Sequence, residues 1–428
     1  MLNFSPVNNL YRLRNKNLRL HIYALSPAQR FCFAAAYGGG EGGGRGLKSL
    51  LFSLLLLLAL PSYILAQDYL HRPWPASWIT HPTASATEFA VVNFRREFTL
   101  DALPDSLAVM VSADNRYQLF LNGQRVGEGP ARGDLLHWRY ETYDLRPHLK
   151  TGKNVIAAIV WNYGIDKPWS QQSYRLGFLL KPKQEAHYEL MTDAKWQTFN
   201  NEAYSPITDS RDRLGTYIVT GPQLQIDGNK MPWGWEGLEY DATDWSPAKT
   251  IVKAAPAGVG TEFYWALVPR EIPLFPRKQL DQPVPIKVFE KFPNHPIGLD
   301  TVPLGILPPN THRTILLQFP KLVNAFHTYQ FKGGEGATVR VTYAESLFDE
   351  NGDKGNREEY EDKTMLGVYD EFFLDGQLRD YSTPWFRTGR YLELAIETED
   401  DSLFITDILS EEFAYSFTPI ASFKDENN

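Results

Sequence analysis

Apolar residues along this 428-residue chain come in short alternating stretches cut by Gly, Asn, Asp and Pro, with almost no sustained 3.6-residue rhythm from Phe89 onward. Alternation at every second residue is the mark of strands half buried on a sheet face. It predicts strands at Asn93–Leu100, Leu107–Ser112, Arg116–Leu121, Val155–Trp161 and Arg175–Leu180. The run Val155–Trp161 (VIAAIVW) is the most apolar of these and reads as a central strand. Asn122-Gly123 fits a two-residue type I′ hairpin turn, because both residues tolerate positive φ. Past a Pro-rich stretch, Val268–Pro285, the same pattern predicts a second set of strands. These are Thr314–Phe319, Ala325–Lys332, Thr338–Tyr343, Gly367–Leu374, Tyr391–Glu397 and Leu403–Leu409, with turns at Gly333-Gly334, Asn351-Gly352 and Asp375-Gly376. Many short strands at this spacing define an all-β protein of two consecutive β-sandwich domains, the first of them a jelly roll. The prolines of 268–285 lack the amide donor a central strand needs, so that segment is expected to be a linker.

The amino terminus breaks this pattern. Leu50–Leu60 (LLFSLLLLLAL) follows Lys48 and is cut by Pro61, with the small residue Ala66 shortly after. A run of this length suits a signal-peptide core, whereas a membrane span needs ~20 apolar residues. The expected organisation is an upstream extension at 1–47, with translation starting near Leu47, then a signal peptide at 48–66. The jelly-roll domain follows at 67–267, the linker at 268–285, the second sandwich at 286–416 and a loose end at 417–428. Export to the periplasm or outside the cell is implied, without a stable membrane anchor. Gln67 rather than Cys follows the expected cleavage, so a lipid anchor is not expected either. The single cysteine, Cys32, precedes that cleavage. Disulfides and thiolate chemistry are therefore not expected in the exported chain.

The formal charge is −8, and seven of the basic residues lie before Leu50. A surface this acidic is a poor partner for nucleic acid. No His-x-x-x-His, Gly-x-Ser-x-Gly or Gly-x-Gly-x-x-Gly pattern occurs in the expected exported chain. The cluster Gly38–Gly44 lacks the Gly-Lys-Ser/Thr ending of a phosphate loop. Gly127-Glu-Gly129-Pro-Ala-Arg-Gly133 is read as a loop whose glycines supply special backbone angles. Asp349-Glu-Asn351-Gly-Asp353 spaces oxygen ligands like a calcium loop, but Lys354 and Tyr360 stand where that loop needs Gly and Glu; it is read as a solvated hairpin loop. Glu345 is expected to pair with Arg357 or Arg387. No cofactor or protein-held metal is called for, Ca²⁺ in the jelly-roll domain being the one ion left open.

Aromatic residues make up 14% of the chain, and Trp74, Trp78, Trp138, Trp161, Trp169, Trp233, Trp235, Trp245 and Trp265 all fall in the expected first domain. Flat ring faces stack on the C–H surfaces of sugars while polar neighbours read hydroxyls, so the composition suits carbohydrate. Two clusters are expected to face a ligand: Asp114-Asn115 before the hairpin, and Asp134, His137, Trp138 and Arg139 in one loop.

The segment Ser112–Asp144 (SADNRYQLFLNGQRVGEGPARGDLLHWRYETYD) resembles the amino-terminal domain of bacterial α-L-rhamnosidases of glycoside hydrolase family 78. The resemblance continues through Gly152–Gly164 (GKNVIAAIVWNYG), Trp265–Pro273 (WALVPREIP), Ala344–Glu359 (AESLFDENGDKGNREE) and Thr383–Thr398 (TPWFRTGRYLELAIET). It implies a galactose-binding-like jelly roll followed by a concanavalin-like sandwich, and rhamnose-containing glycans as partners. In that family a helical barrel after the β domains carries the carboxylates that hydrolyse terminal α-L-rhamnosides with inversion. This sequence reaches Asn428 near the point where such a barrel would begin, so no catalytic residue is carried over. The expectation is a rhamnosidase-like fragment without hydrolytic activity of its own. The alternative is a sugar-binding protein that works without catalysis. The oligomeric state is left open.

Overall fold

The computed structural model describes residues 72–215, 221–260, 265–290, 305–418 and 420–422. The expected signal segment, the upstream extension with Cys32 and the glycine cluster at 38–44 lie outside the described residues. The chain from Asp68 to Asn428 forms one compact unit. No helix among the described residues is long and apolar enough to cross a membrane.

The first sandwich pairs a seven-stranded sheet with a six-stranded one. The seven-stranded sheet runs in the order Lys249–Lys253, Ser77–Thr80, Gly177–Pro182, Ala108–Asp114, Trp138–Asp144, Ala266–Pro269, Ala255–Pro256. Its partner runs Ser246–Pro247, Gln197–Asn200, Phe89–Leu100, Gly152–Tyr163, Arg116–Leu121, Gln124–Gly129. Gly152–Tyr163 is central, and the reason it lacks alternation is visible in its two faces. Ile156, Ala158 and Val160 enter the core of the first sandwich, while Ala157, Ile159, Trp161 and Tyr163 enter a second cluster with Trp235, Trp245, Phe326 and Trp385. A strand buried on both sides reads as a continuous apolar run. The Asn122-Gly123 turn has the expected geometry, with φ of 53° and 80°.

The second sandwich is a single eleven-stranded sheet folded on itself. Its organising element is His312–Gly333, 22 residues long, where the sequence suggested two strands. Pairing with Arg387–Glu397 shifts register between Gln318 and Val323, around Pro320, which has no amide to give to a ladder. Before the shift the strand also pairs with Val284–Glu290, and after it with Gly376–Ser382 and Leu403–Phe413.

Two features differ from the expected boundaries. Tyr204–Ile207 and Gln223–Asp227 lie inside the stretch assigned to the first domain, yet Gln223–Asp227 pairs in parallel with Val368–Phe373 of the second sheet. A buried ion pair fixes this crossover: Arg387 bonds both oxygens of Asp370, at 2.6 and 2.7 Å. Asp370 also accepts the Leu224 amide, and Arg387 reaches the Pro222 carbonyl. The Pro-rich segment is likewise more than a tether. Ala266–Pro269 joins the first sandwich, whereas Arg277–Gln279 and Val284–Glu290 join the second sheet. Arg277–Gln279 takes an edge place, and Ala266–Pro269 lies next to the edge strand of its sheet.

Candidate functional site

The loops at one end of the first sandwich bring together residues 130–137, 164–176 and the Asp114-Asn115 corner. Asp114 is completely buried beneath them. Its carboxylate accepts hydrogen bonds from Ser173 Oγ (2.7 Å), the amides of Tyr174 (2.7 Å) and Arg175 (3.2 Å), Trp265 Nε1 (2.9 Å) and Asn115 Nδ2 (2.5 Å). Burial pushes the Asp114 carboxyl above its ordinary range, and these donors pull against that rise. Asn115, also fully buried, accepts the Tyr163 amide at 2.9 Å. The pair, expected to face a ligand, is enclosed and hydrogen-bonded within the protein. It braces the loops from below, which two polar side chains at a strand end do when the surrounding backbone needs acceptors.

The second expected cluster divides. Asp134 and His137 lie exposed on the loop, where Asp134 Oδ1 accepts the amides of Leu136 (2.8 Å) and His137 (2.9 Å) and meets His137 Nδ1 at 3.1 Å. These bonds outweigh a slight desolvation and hold the Asp134 carboxyl below its usual range. Trp138, 2% exposed, begins a strand rather than continuing the loop, and packs with Trp74, Trp78 and Trp265 on the outer face of the seven-stranded sheet. Trp78 and Trp265 stack there at 4.1 Å. Arg139 donates to the Pro269 carbonyl at 3.0 Å and lies 3.5 Å from Glu271, so it secures the neighbouring strand. Successive residues on a strand point to opposite faces, which separates Trp138 from Arg139.

Trp169, which the sequence named only among the other tryptophans, is the most exposed ring of these loops. It is 77% exposed at the tip of the 164–176 loop, beside Ser170, whose hydroxyl accepts Arg132 Nη1 at 2.5 Å. That bond ties the tip to the loop carrying Asp134 and His137. Of the other tryptophans named, Trp233 is partly covered and the rest are buried.

The remaining motifs resolve as structure. None of Gly127, Gly129 and Gly133 has positive φ. They are small because a Cβ would strike Tyr143, Glu141 and the His137 carbonyl respectively, which corrects the reading from backbone angle to close approach. Asp349 braces its own loop by accepting the amides of Asn351 and Asp353, each at 2.9 Å. Glu345 sits 3.7 Å from Arg357, and Arg387 is committed to Asp370. No three His, Cys, Asp or Glu side chains among the described residues converge as a metal site would require.

A second polar centre lies at the seam between the sandwiches. Arg125 and Glu128 from the first meet Arg277 and Glu411 from the second in a closed ring, with nitrogen–oxygen distances of 3.2 Å (Arg125–Glu128), 3.2 Å (Arg125–Glu411), 3.0 Å (Arg277–Glu128) and 3.1 Å (Arg277–Glu411). Burial outweighs the pull of Arg125 and pushes the Glu128 carboxyl up to about 7. Behind it Glu141, fully buried, accepts the Ala131 amide, Arg270 Nη1 and the Tyr117 hydroxyl. Isolated charges inside strand-like sequence, such as Arg125 and Glu128 in QRVGEG, were the available signal for this centre.

Two β-sandwiches joined at a seam define an all-β architecture. Residues 104–261 match the family model described as the alpha-L-rhamnosidase N-terminal domain. An α-L-rhamnosidase of Formosa agariphila is 25% identical over 186 residues, which is 38% of this chain and 18% of that protein. The fold is similar to the crystal structure of the GH78 family rhamnosidase of Bacillus sp. GL1, with a TM-score of 0.69 at 14% identity, covering 83% of this chain and 56% of that one. It is also similar to α-L-rhamnosidase from Dictyoglumus thermophilum, with a TM-score of 0.53 at 18% identity, covering 80% and 36%. Residues 104–261 thus match a rhamnosidase N-terminal domain in sequence and the β region of these enzymes in fold, and the chain spans about a fifth to a half of the length of these relatives.

Proposed function

We propose that this chain supplies the β region of an α-L-rhamnosidase-like glycoside hydrolase that acts on terminal α-L-rhamnosides, and that it does not cleave them alone. The match over residues 104–261 carries this reading. Inverting hydrolysis requires an acid and a base held ~6.5–9.5 Å apart around a water. Glu128, Glu141, Asp370 and Glu411, buried or half-buried acids, are each committed to arginines, an arrangement suited to holding layers together. The test is turnover of an aryl α-L-rhamnoside by the purified protein. No release above background is expected, and measurable turnover that survives repurification overturns the reading. Export through the segment at 48–66 belongs to the same proposal; amino-terminal sequencing of secreted material, expected to begin at Gln67, checks it.

A second reading, sugar binding without catalysis, is favoured by one observation: Trp169 is presented on a loop tip braced by Asp114 and flanked by hydroxyl and guanidinium groups. An exposed indole among polar side chains is how proteins grip a sugar ring. Calorimetry with L-rhamnose, with and without Ca²⁺, tests it. Trp169→Ala is the informative variant, because Asp114 and Trp138 are buried and their replacement perturbs the fold first.

A further inference from the structure

A cleft of about 310 Å³ opens at the seam, walled by both sandwiches and by the segment around 231–236 that crosses between them. Its size falls at the lower end of the ~300–1,000 Å³ typical of small-molecule sites, which favour boundaries between domains. Its walls are held from behind. Gln118 Nε2 donates to the Pro384 carbonyl at 2.6 Å, stitching one sandwich to the other across the cleft. Trp233 donates Nε1 to the Gly228 carbonyl, lies edge-on to Tyr381 and is covered by the Arg379 guanidinium at 4.9 Å. The Glu236 carbonyl accepts the Gly123 amide at 3.0 Å, which fixes that residue against the hairpin turn.

The charges lining the cleft decide what it can hold. Arg125 and Arg277 give their guanidinium donors to Glu128 and Glu411, so they are poorly placed to neutralise an incoming anion. The groups left to meet a guest are chiefly acceptors and hydroxyls: the Glu236 and Asp380 carboxyls and the Ser382 hydroxyl. Asp380 is oriented by Gln330 Nε2 at 2.9 Å. Carboxylates that accept from neutral O–H donors make strong, charge-assisted hydrogen bonds. Trp235 already packs on Phe120 and Trp245, so a guest is gripped through its hydroxyls more than by ring stacking.

We propose that this seam cleft binds a compact, neutral, polyhydroxylated molecule of monosaccharide size, with Glu236 and Asp380 accepting its hydroxyls. The proposal rests on the sugar-handling reading for its choice of probes, but on different residues from the loop end. The test is calorimetric titration of the purified full chain with L-rhamnose, D-galactose, D-glucitol and, as an anionic comparator, D-glucuronate. Two cleft variants are compared with the native chain, Glu236→Gln/Asp380→Asn, which keeps side-chain volume, and Ser382→Phe, which fills the space. Trp169→Ala serves as the loop-end control, and thermal melts confirm folding. A neutral probe is expected to bind with a Kd on the order of 1 mM, at least ~10-fold more weakly in the cleft variants and unchanged in Trp169→Ala. Should Ser382→Phe not fold, the isosteric double variant decides. No neutral binding up to ~50 mM, binding that survives the double variant, or a preference for D-glucuronate overturns the proposal. Loss of binding in Trp169→Ala with the cleft variants intact assigns the sugar to the loop end and overturns the cleft.

Discussion

At the loop end of the first sandwich a buried aspartate holds loops whose tip presents an exposed tryptophan, Trp169. At the seam, tryptophans and charged residues are also gathered, but the rings are covered and the charges closed into a ring. Trp161 faces Trp385 at 5.9 Å, Arg116 lies over Trp385 at 5.0 Å, and Arg277 lies over Phe326 at 3.3 Å. The contrast shows that a residue type does not carry a role by itself. A ring becomes available to a ligand only where neither sandwich needs it for burial, and loop tips are where that condition is met.

The largest effect that could break this comparison belongs to the seam. Trp161 is almost wholly buried between the sandwiches, so Trp161→Ala removes a large side chain that the neighbouring rings cannot replace. Truncations of this kind cost about 3–5 kcal/mol. Equilibrium denaturation followed by fluorescence and by circular dichroism should show one transition moved to lower denaturant in both signals. Separate transitions for the two sandwiches would mean that the seam is a dispensable contact, and the contrast with the loop end would lose its basis.

The strands of the first sandwich were legible because their periodicity is local. The alternation at Arg116–Leu121, the Asn122-Gly123 turn and the doubly buried run around Val155 each carry their own signature. The bend at Pro320 was not legible as such, since a strand that changes partners without ending looks in sequence like two strands and a gap. Nor was the passage of Gln223–Asp227 into the second sheet, whose partner lies some 146 positions away. The surroundings of the expected site residues were hidden for the same reason. Asp114 looked like a ligand contact, but all of its donors except Asn115 come from 59 to 151 positions downstream, and only the folded chain shows that they use it up. The burial of Trp138 was hidden because both faces of its sheet carry apolar layers, which blurs the alternation.

A smaller effect follows from Glu128, and it sharpens the description of the seam. Its folded carboxyl titrates at about 7 against an ordinary 4.5, because desolvation outweighs its arginine partners. A raised folded value means that protonation favours the folded state. Its contribution is therefore full below pH ~4.5 and is lost as pH rises through about 7. The shift corresponds to a swing on the order of 3 kcal/mol. Denaturation of native protein and Glu128→Gln at several pH values isolates it, since glutamine does not titrate. The stability of the native chain relative to the variant should fall by about that amount between pH 4.5 and 8. A rise over the same range would mean that Arg125 and Arg277 dominate and that the ring is a net source of stability when charged.

Trp169→Ala is expected to have the smallest effect on folding, and that is what makes it useful. A ring 77% exposed has little surface left to lose, so the change in unfolding free energy should stay within ~0.5 kcal/mol. The bonds below it, from Ser173, Tyr174 and Arg175 to Asp114, do not involve the indole and should hold the loop in place. Any loss of sugar affinity in this variant then reports contact with the ring and not collapse of the loop. A stability loss above ~1 kcal/mol would instead make Trp169 a packing residue like its counterparts at the seam, and the distinction between the two regions would become one of degree.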